Sequence, residues 1–222
     1  MNKMPVSIVV DNPRSWFQPF ARLLCEKLAP HAHTTLRADA ADIPDGNEIA
    51  FILSYEKKVP APLLARSRHN IVVHASALPQ GKGMSPLTWQ ILEGKNRIPL
   101  TLFEATEAID AGPIYLQTHV DFAGHELLPE MQHTLGEALL SLCIHFVENY
   151  PAVTSNGREQ SGETTRYRRR IPEDSRLDPH QTIAAQFNLL RVADNDRYPA
   201  FFEWQGRKFL VKISSTSESA VL

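Results

Sequence analysis

At 222 residues the chain is long enough to bury a sizeable core, and chains up to about 250 residues are routinely single domains. With 43% hydrophobic and 22% charged residues and a formal charge of -2, it has no global basic field to recruit nucleic acid and no acidic solvating tail. The five-residue apolar stretch before Asp11 is too short for a secretory signal, and no run approaches the roughly 18 apolar residues of a membrane span. The expectation is therefore a soluble, cytoplasmic protein with no membrane or nucleic-acid partner.

VSIVV (6–10) is a β-rich run that turns at Asp11, Asn12 and Pro13. A helical spacing of Trp16, Phe20, Leu23, Leu24 and Leu28 follows it. IAFILS (49–54) is a second apolar run, VPAPLLARS (59–67) a short helix with prolines in its first turn, and NIVVHAS (70–76) a third run ending in polar residues. Continuous apolar strands of this kind imply a sheet covered on both faces. SPLTWQILEG reads as a helix opened by Ser85 and Pro86 and closed by Gly94. IPLTLFEA and IYLQTHVDF are two more strands around a loop at 105–113, and 131–150 is a long helix. Together these elements predict an α/β fold with an open, mostly parallel Rossmann-like sheet, spanning residues 1–150.

From 151 to 222 the composition is polar and basic, then gives a helix over 181–192 and a hairpin turning at Gln205 and Gly206. This part is expected to be a C-terminal helix-hairpin appendage, with no buried pattern in the terminal SSTSESAVL. Cys25 and Cys143 sit in helical apolar patterns without a CxxC or Cys/His cluster, so free buried thiols and no metal site are expected.

Open α/β sheets bind ligands at the carboxyl ends of their strands, which singles out His74, directly after an apolar strand and before the small-residue stretch QGKGMSP. NIVVHASALPQGKGMSPLTWQILEG resembles the signature of folate-dependent formyltransferases: strand, histidine, small residue, serine, two residues and proline, then a glycine-containing loop and a helix. FEATEAIDAGPIYLQ is similar to that family's loop, in which an aspartate precedes a small residue, glycine and a returning strand. The spacing from His74 to Asp110 is close to the family's usual one.

The resemblance implies that an amine attacks the formyl carbon of 10-formyltetrahydrofolate. It makes His74 the group that donates to the oxyanion and moves the proton, and Asp110 the carboxylate that orients it. It also places Tyr55, Glu56, Lys57, Lys58, Ile109 and Asp110 around the folate. The sequence departs from the family two residues before the histidine, where the usual asparagine is Val72. Removing one oxyanion donor typically costs about 10²- to 10³-fold in rate. Asn70 shares the strand face with His74 and is a further catalytic candidate, though four strand residues span roughly 13 Å. A backbone N–H of the 81–83 loop, or a water, assisting His74 is the favoured substitute.

TRYRRRIPEDSRLD resembles the basic segment that follows the catalytic domain in methionyl-tRNA and nucleotide-sugar formyltransferases, and which glycinamide ribonucleotide formyltransferases do not ordinarily carry. The tRNA enzymes go on into a β-barrel, for which the remaining residues are too few. The implied acceptor is a nucleotide-linked 4-amino-4,6-dideoxy sugar of surface polysaccharide biosynthesis, with Ser76, Lys82, Gly83, Arg169 and Arg170 as substrate-binding residues. A glycinamide ribonucleotide enzyme and a catalytically impaired folate- or sugar-nucleotide-binding homologue are the alternatives. A homodimer is compatible with all three.

Overall fold

The computed structural model describes residues 3–216. Its main sheet holds six strands in the order β2-β1-β3-β4-β6-β7: β1 (Met4–Val9), β2 (Ala32–Arg37), β3 (Asn47–Ile52), β4 (Ser67–His74), β6 (Arg97–Glu104) and β7 (Ile114–Asp121). The first four run parallel, and β6 and β7 each pair antiparallel to their neighbour. The sheet is thus mostly parallel and open, as expected. β2 carries no apolar run and escapes a reading based on hydrophobic continuity, because as an edge strand it fully buries only Ala32.

Alternation along the strands divides the core into two. Val6, Ile8, Ile49, Phe51 and Ile71 point to one face and pack with α1 (Gln18–Leu28) and the long α4 (Leu128–Glu148). Val9, Ala50, Ile52 and Val72 point to the other, against Ile43, Val59 and the short α2 (Ala61–Leu64). Helices α1 and α4 approach closely because Gly136 has no side chain; a Cβ there would stand 2.5 Å from the Phe20 ring. Between β4 and β6 lie the two-residue β5 (Lys82–Gly83) and α3 (Pro86–Leu92).

The C-terminal part keeps the expected hairpin, β9 (Ala200–Trp204) and β10 (Arg207–Val211), turning through Gln205 and Gly206 with positive φ at both. The expected helix over 181–192 is shorter: a 3₁₀ turn at Ala184–Gln186 leads into α5 (Phe187–Arg191). Between them and the sheet runs β8 (Arg166–Tyr167), paired in parallel with β5. Residues 214–216 form no regular element, and 217–222, the rest of the SSTSESAVL terminus, lie outside the described residues.

Candidate active site

β4 ends at His74, where the Ser76 N–H turns back to the His74 carbonyl. The buried imidazole places Nε2 2.8 Å from the Gly81 carbonyl. A carbonyl only accepts, so Nε2 carries a proton and Nδ1 is the nitrogen free to exchange one. The Asp110 Oδ2 lies 3.9 Å from Nε2, too long for a hydrogen bond.

Asp110 holds its place through backbone contacts. Its φ is +52°, a left-handed conformation uncommon outside glycine. The Gly83 N–H donates to Oδ2 at 2.8 Å, and the Gln160 amide donates to the carbonyls of both Asp110 and Gly112. Gly112 has to be glycine, because a Cβ there would come within 1.9 Å of the Glu104 carbonyl. The base of the loop is tied by Glu104, whose carboxylate accepts from the Asn70 N–H and the Tyr115 hydroxyl and contacts His69.

The polar segment after residue 150 completes this centre. Thr165 accepts the Gly81 N–H on its hydroxyl and the Lys82 N–H on its carbonyl, and the Tyr167 carbonyl accepts the Met84 N–H. Trp89 secures β8 from outside: its indole donates to the Arg168 carbonyl, and its ring stacks with Tyr167 and carries the Arg168 guanidinium 4.8 Å away. The boundary expected at 150 therefore separates compositions but not the active site.

A cavity of about 590 Å³ wraps the carboxyl ends of β3 and β4. Tyr55, Glu56, Lys57, Lys58, Ile109, Asp110, His74, Gly83, Arg169 and Arg170 line it, as does Val72. The 55–58 segment is pinned by Lys57 on Asp39, by Tyr55 on the same carboxylate, and by the Glu56 N–H on Asp11. Three other left-handed or boundary positions converge here: Ser54 and Ser85 have positive φ like Asp110, and Trp16 enters from the turn before α1. Gln132 of α4 and Arg166, Arg197 and Tyr198 also line the cavity, of which Arg197 and Tyr198 have no motif that marks them in the sequence. Among the described residues no group of three or more His, Cys, Asp or Glu could hold a metal ion, and no helix is long and apolar enough to cross a membrane.

Residues 29–141, half of the chain, match the family model described as formyl transferase. The chain belongs to the formyl transferase family. Similar solved structures include methionyl-tRNA formyltransferase from Clostridium thermocellum, at 19% identity and TM-score 0.80, with 97% of this chain and 95% of that one covered. A sugar N-formyltransferase from a Shewanella species is 18% identical at TM-score 0.67, covering 96% and 98%. HypX from Aquifex aeolicus in complex with tetrahydrofolic acid is 17% identical at TM-score 0.75, covering 96% of this chain and 38% of that one. At these identities the likeness is one of fold.

Three expected site residues of this formyltransferase do not reach the cavity. Asn70 is buried under α2, its amide donating to the Leu64 carbonyl at 2.9 Å. Ser76 is buried beneath Gly81, with its carbonyl accepting from Thr101. Lys82 supplies backbone to the β5–β8 pairing. The backbone donors favoured as substitutes for the family asparagine are also engaged: Gly81 and Lys82 on Thr165, Gly83 on Asp110. Val72 itself packs with Leu78, Phe103 and Ile114. The 81–83 N–H groups are thus committed within the protein. Asn70→Ala is accordingly expected to change kcat by well under tenfold, whereas Val72→Asn restores an amide at the cavity wall and should raise it. Steady-state kinetics of both variants check this, and a hundredfold loss in Asn70→Ala would return the asparagine's role to Asn70.

Proposed function

We propose that this formyltransferase transfers the formyl group of 10-formyltetrahydrofolate to the primary amine of a nucleotide-linked 4-amino-4,6-dideoxy sugar. One observation carries the reading: His74 and Asp110 sit where a cavity passes from one sheet face to the other, with unlike walls on the two sides. On the α2 side, Ile52, Val59, Leu64, Val72 and Phe103 make an apolar wall fit for a flat heteroaromatic ring, with Tyr55 to Lys58 along its rim. On the α4 side Trp16, Leu87, Leu128, Gln132, Leu135 and Leu139 face the basic C-terminal segment, which has no counterpart in the α2-side wall. The HypX structure, named as a complex with tetrahydrofolic acid, supports the donor, and the sugar N-formyltransferase neighbour supports the acceptor.

The donor supplies an activated formyl carbon. His74 in its protonated form donates to the formyl oxygen as charge gathers there, and Nδ1 can pass a proton between the incoming amine and the departing nitrogen. Asp110 faces the ring as its counter-charge, and the Gly83 N–H orients that carboxylate.

The length of the C-terminal part does not separate a sugar from a tRNA acceptor, since the chain covers 95% of the methionyl-tRNA formyltransferase it matches. The net charge of -2 still disfavours a polyanionic acceptor. The test is a formyl-transfer assay with 10-formyltetrahydrofolate and, as separate acceptors, UDP- and dTDP-linked 4-amino-4,6-dideoxy sugars, glycinamide ribonucleotide and methionyl-tRNA. Formylation of a nucleotide sugar with release of tetrahydrofolate is expected. Transfer to glycinamide ribonucleotide or methionyl-tRNA alone overturns the reading.

A further inference from the structure

We infer that Arg170 and Arg197 form an oxyanion subsite on the α4 side of the cavity, taking the diphosphate of the acceptor. The inference rests on the acceptor class proposed above. Six cationic side chains line the cavity, and two are neutralised within the protein: Lys57 by Asp39 and Arg169 by Glu56. Arg169, expected from the sequence to bind substrate, is therefore already paired across the cavity. Arg170 and Arg197 have no carboxylate within ion-pair distance among the described residues.

Arg170 is the more telling of the two. Its guanidinium reaches Ser175 Oγ at 3.1 Å and the Val192 carbonyl at 3.5 Å, while its Nε is buried with no partner. The nearby Asp174 is taken by both Arg168 nitrogens. Burial lowers the Arg170 pKa by more than the nearby Asp174 raises it. A half-buried guanidinium with an unpartnered Nε is costly until an anion meets it. Arg197 joins the same wall through Ser175, whose hydroxyl also donates to the Tyr198 carbonyl, and its guanidinium lies 6.0 Å from the Tyr198 ring. Of the neighbouring carboxylates, Asp194 accepts the N–H groups of Asp196 and Arg197, and Asp196 pairs with Lys212.

Folate glutamyl carboxylates are the other oxyanions available. The α2 side has its own cation for them, Lys58, which lines the cavity without an ion pair among the described residues. Arg170 and Arg197 lie on the opposite side, with Val192 in the core cluster of α1 and α4. A planar guanidinium pair suits the paired, bidentate oxygens of a diphosphate.

Calorimetric titration of inorganic pyrophosphate and UDP into the wild type, Arg197→Ala and Arg170→Lys tests the assignment. Arg197 is exposed and its alanine variant should fold; lysine at 170 keeps the charge but not the fork. Each change is expected to weaken both ligands by about tenfold, and to raise KM for the amino-sugar nucleotide more than it lowers kcat. Affinity for 5-formyltetrahydrofolate bearing one or five glutamates should stay as in the wild type. Wild-type pyrophosphate affinity in both variants overturns the subsite, as does a loss confined to the pentaglutamate. Loss of pyrophosphate binding in the variants, with no nucleotide sugar formylated by the wild type, keeps the subsite and sinks the acceptor. Formylation with unchanged KM in both variants does the reverse.

Discussion

Alanine at position 74 or at position 110 is expected to lower kcat by at least about 10²-fold, because each removes a group that acts as charge and protons move. The two losses should differ in character. His74→Ala is expected to remove the proton carrier and, with Val72 in place of an amide, a donor for the formyl oxygen. Asp110→Ala leaves the imidazole bound to Gly81 but takes away its counter-charge 3.9 Å off, and frees the Gly83 N–H. Folate affinity should change far less than turnover, since neither side chain builds the apolar wall. Steady-state kinetics beside a folate titration separate these effects. Near-normal turnover in either variant removes that residue from the mechanism. Far-ultraviolet circular dichroism guards against a trivial loss by unfolding.

Arg191→Ala should destabilise the fold by about 3 kcal/mol, a large share of a typical domain's stability. The side chain is almost fully buried, donates to Asn188 and Asn96, and lies 3.7 Å from Glu126. Glu126 in turn accepts the Ala123 and Gly124 N–H groups at the turn into α4. One guanidinium thus ties α5 to two loops of the sheet domain. Its removal leaves a void, two unmet amide oxygens and a carboxylate without its cation. The full penalty of a broken buried pair is not expected, because Glu126 keeps its backbone donors. For a chain of this size the melting temperature should fall by about 6–12 °C. A fall below about 2 °C would show that the buried arginine is not what holds the two parts together.

The sheet was legible wherever apolar residues ran continuously, because β1, β3 and β4 are buried on both faces and their sequences have to say so. Strand direction was not. Nothing in IPLTLFEA says that β6 runs against β4, since orientation follows from how the intervening loop and α3 return the chain. His74 and Asp110 could be found because a motif of spaced residues marks the strand end of the one and the loop of the other. Ser76, Lys82 and Asn70 share those motifs, yet their side chains answer to neighbours distant in sequence: Thr101, the β8 strand and Leu64. Thr165, Gln160 and Arg197 were hidden for the opposite reason. Each lies in a polar stretch that reads as solvated surface, and only tertiary pairing brings it to the site.

The pairing of β5 with β8 also bears on the order of events during synthesis. The loop after His74 is closed by residues 84 positions later, in the Gly81 to Thr165 bond, and the turn at Asp110 by Gln160, 50 positions later. Such closures cost chain entropy before any contact repays it, so they form late. A nascent chain could therefore lay down β1 to β4 and their helices while its reactive histidine still lacked a fixed setting. Catalytic competence would arrive only once the ribosome had released Thr165 to Tyr167, well after the fold itself was recognisable.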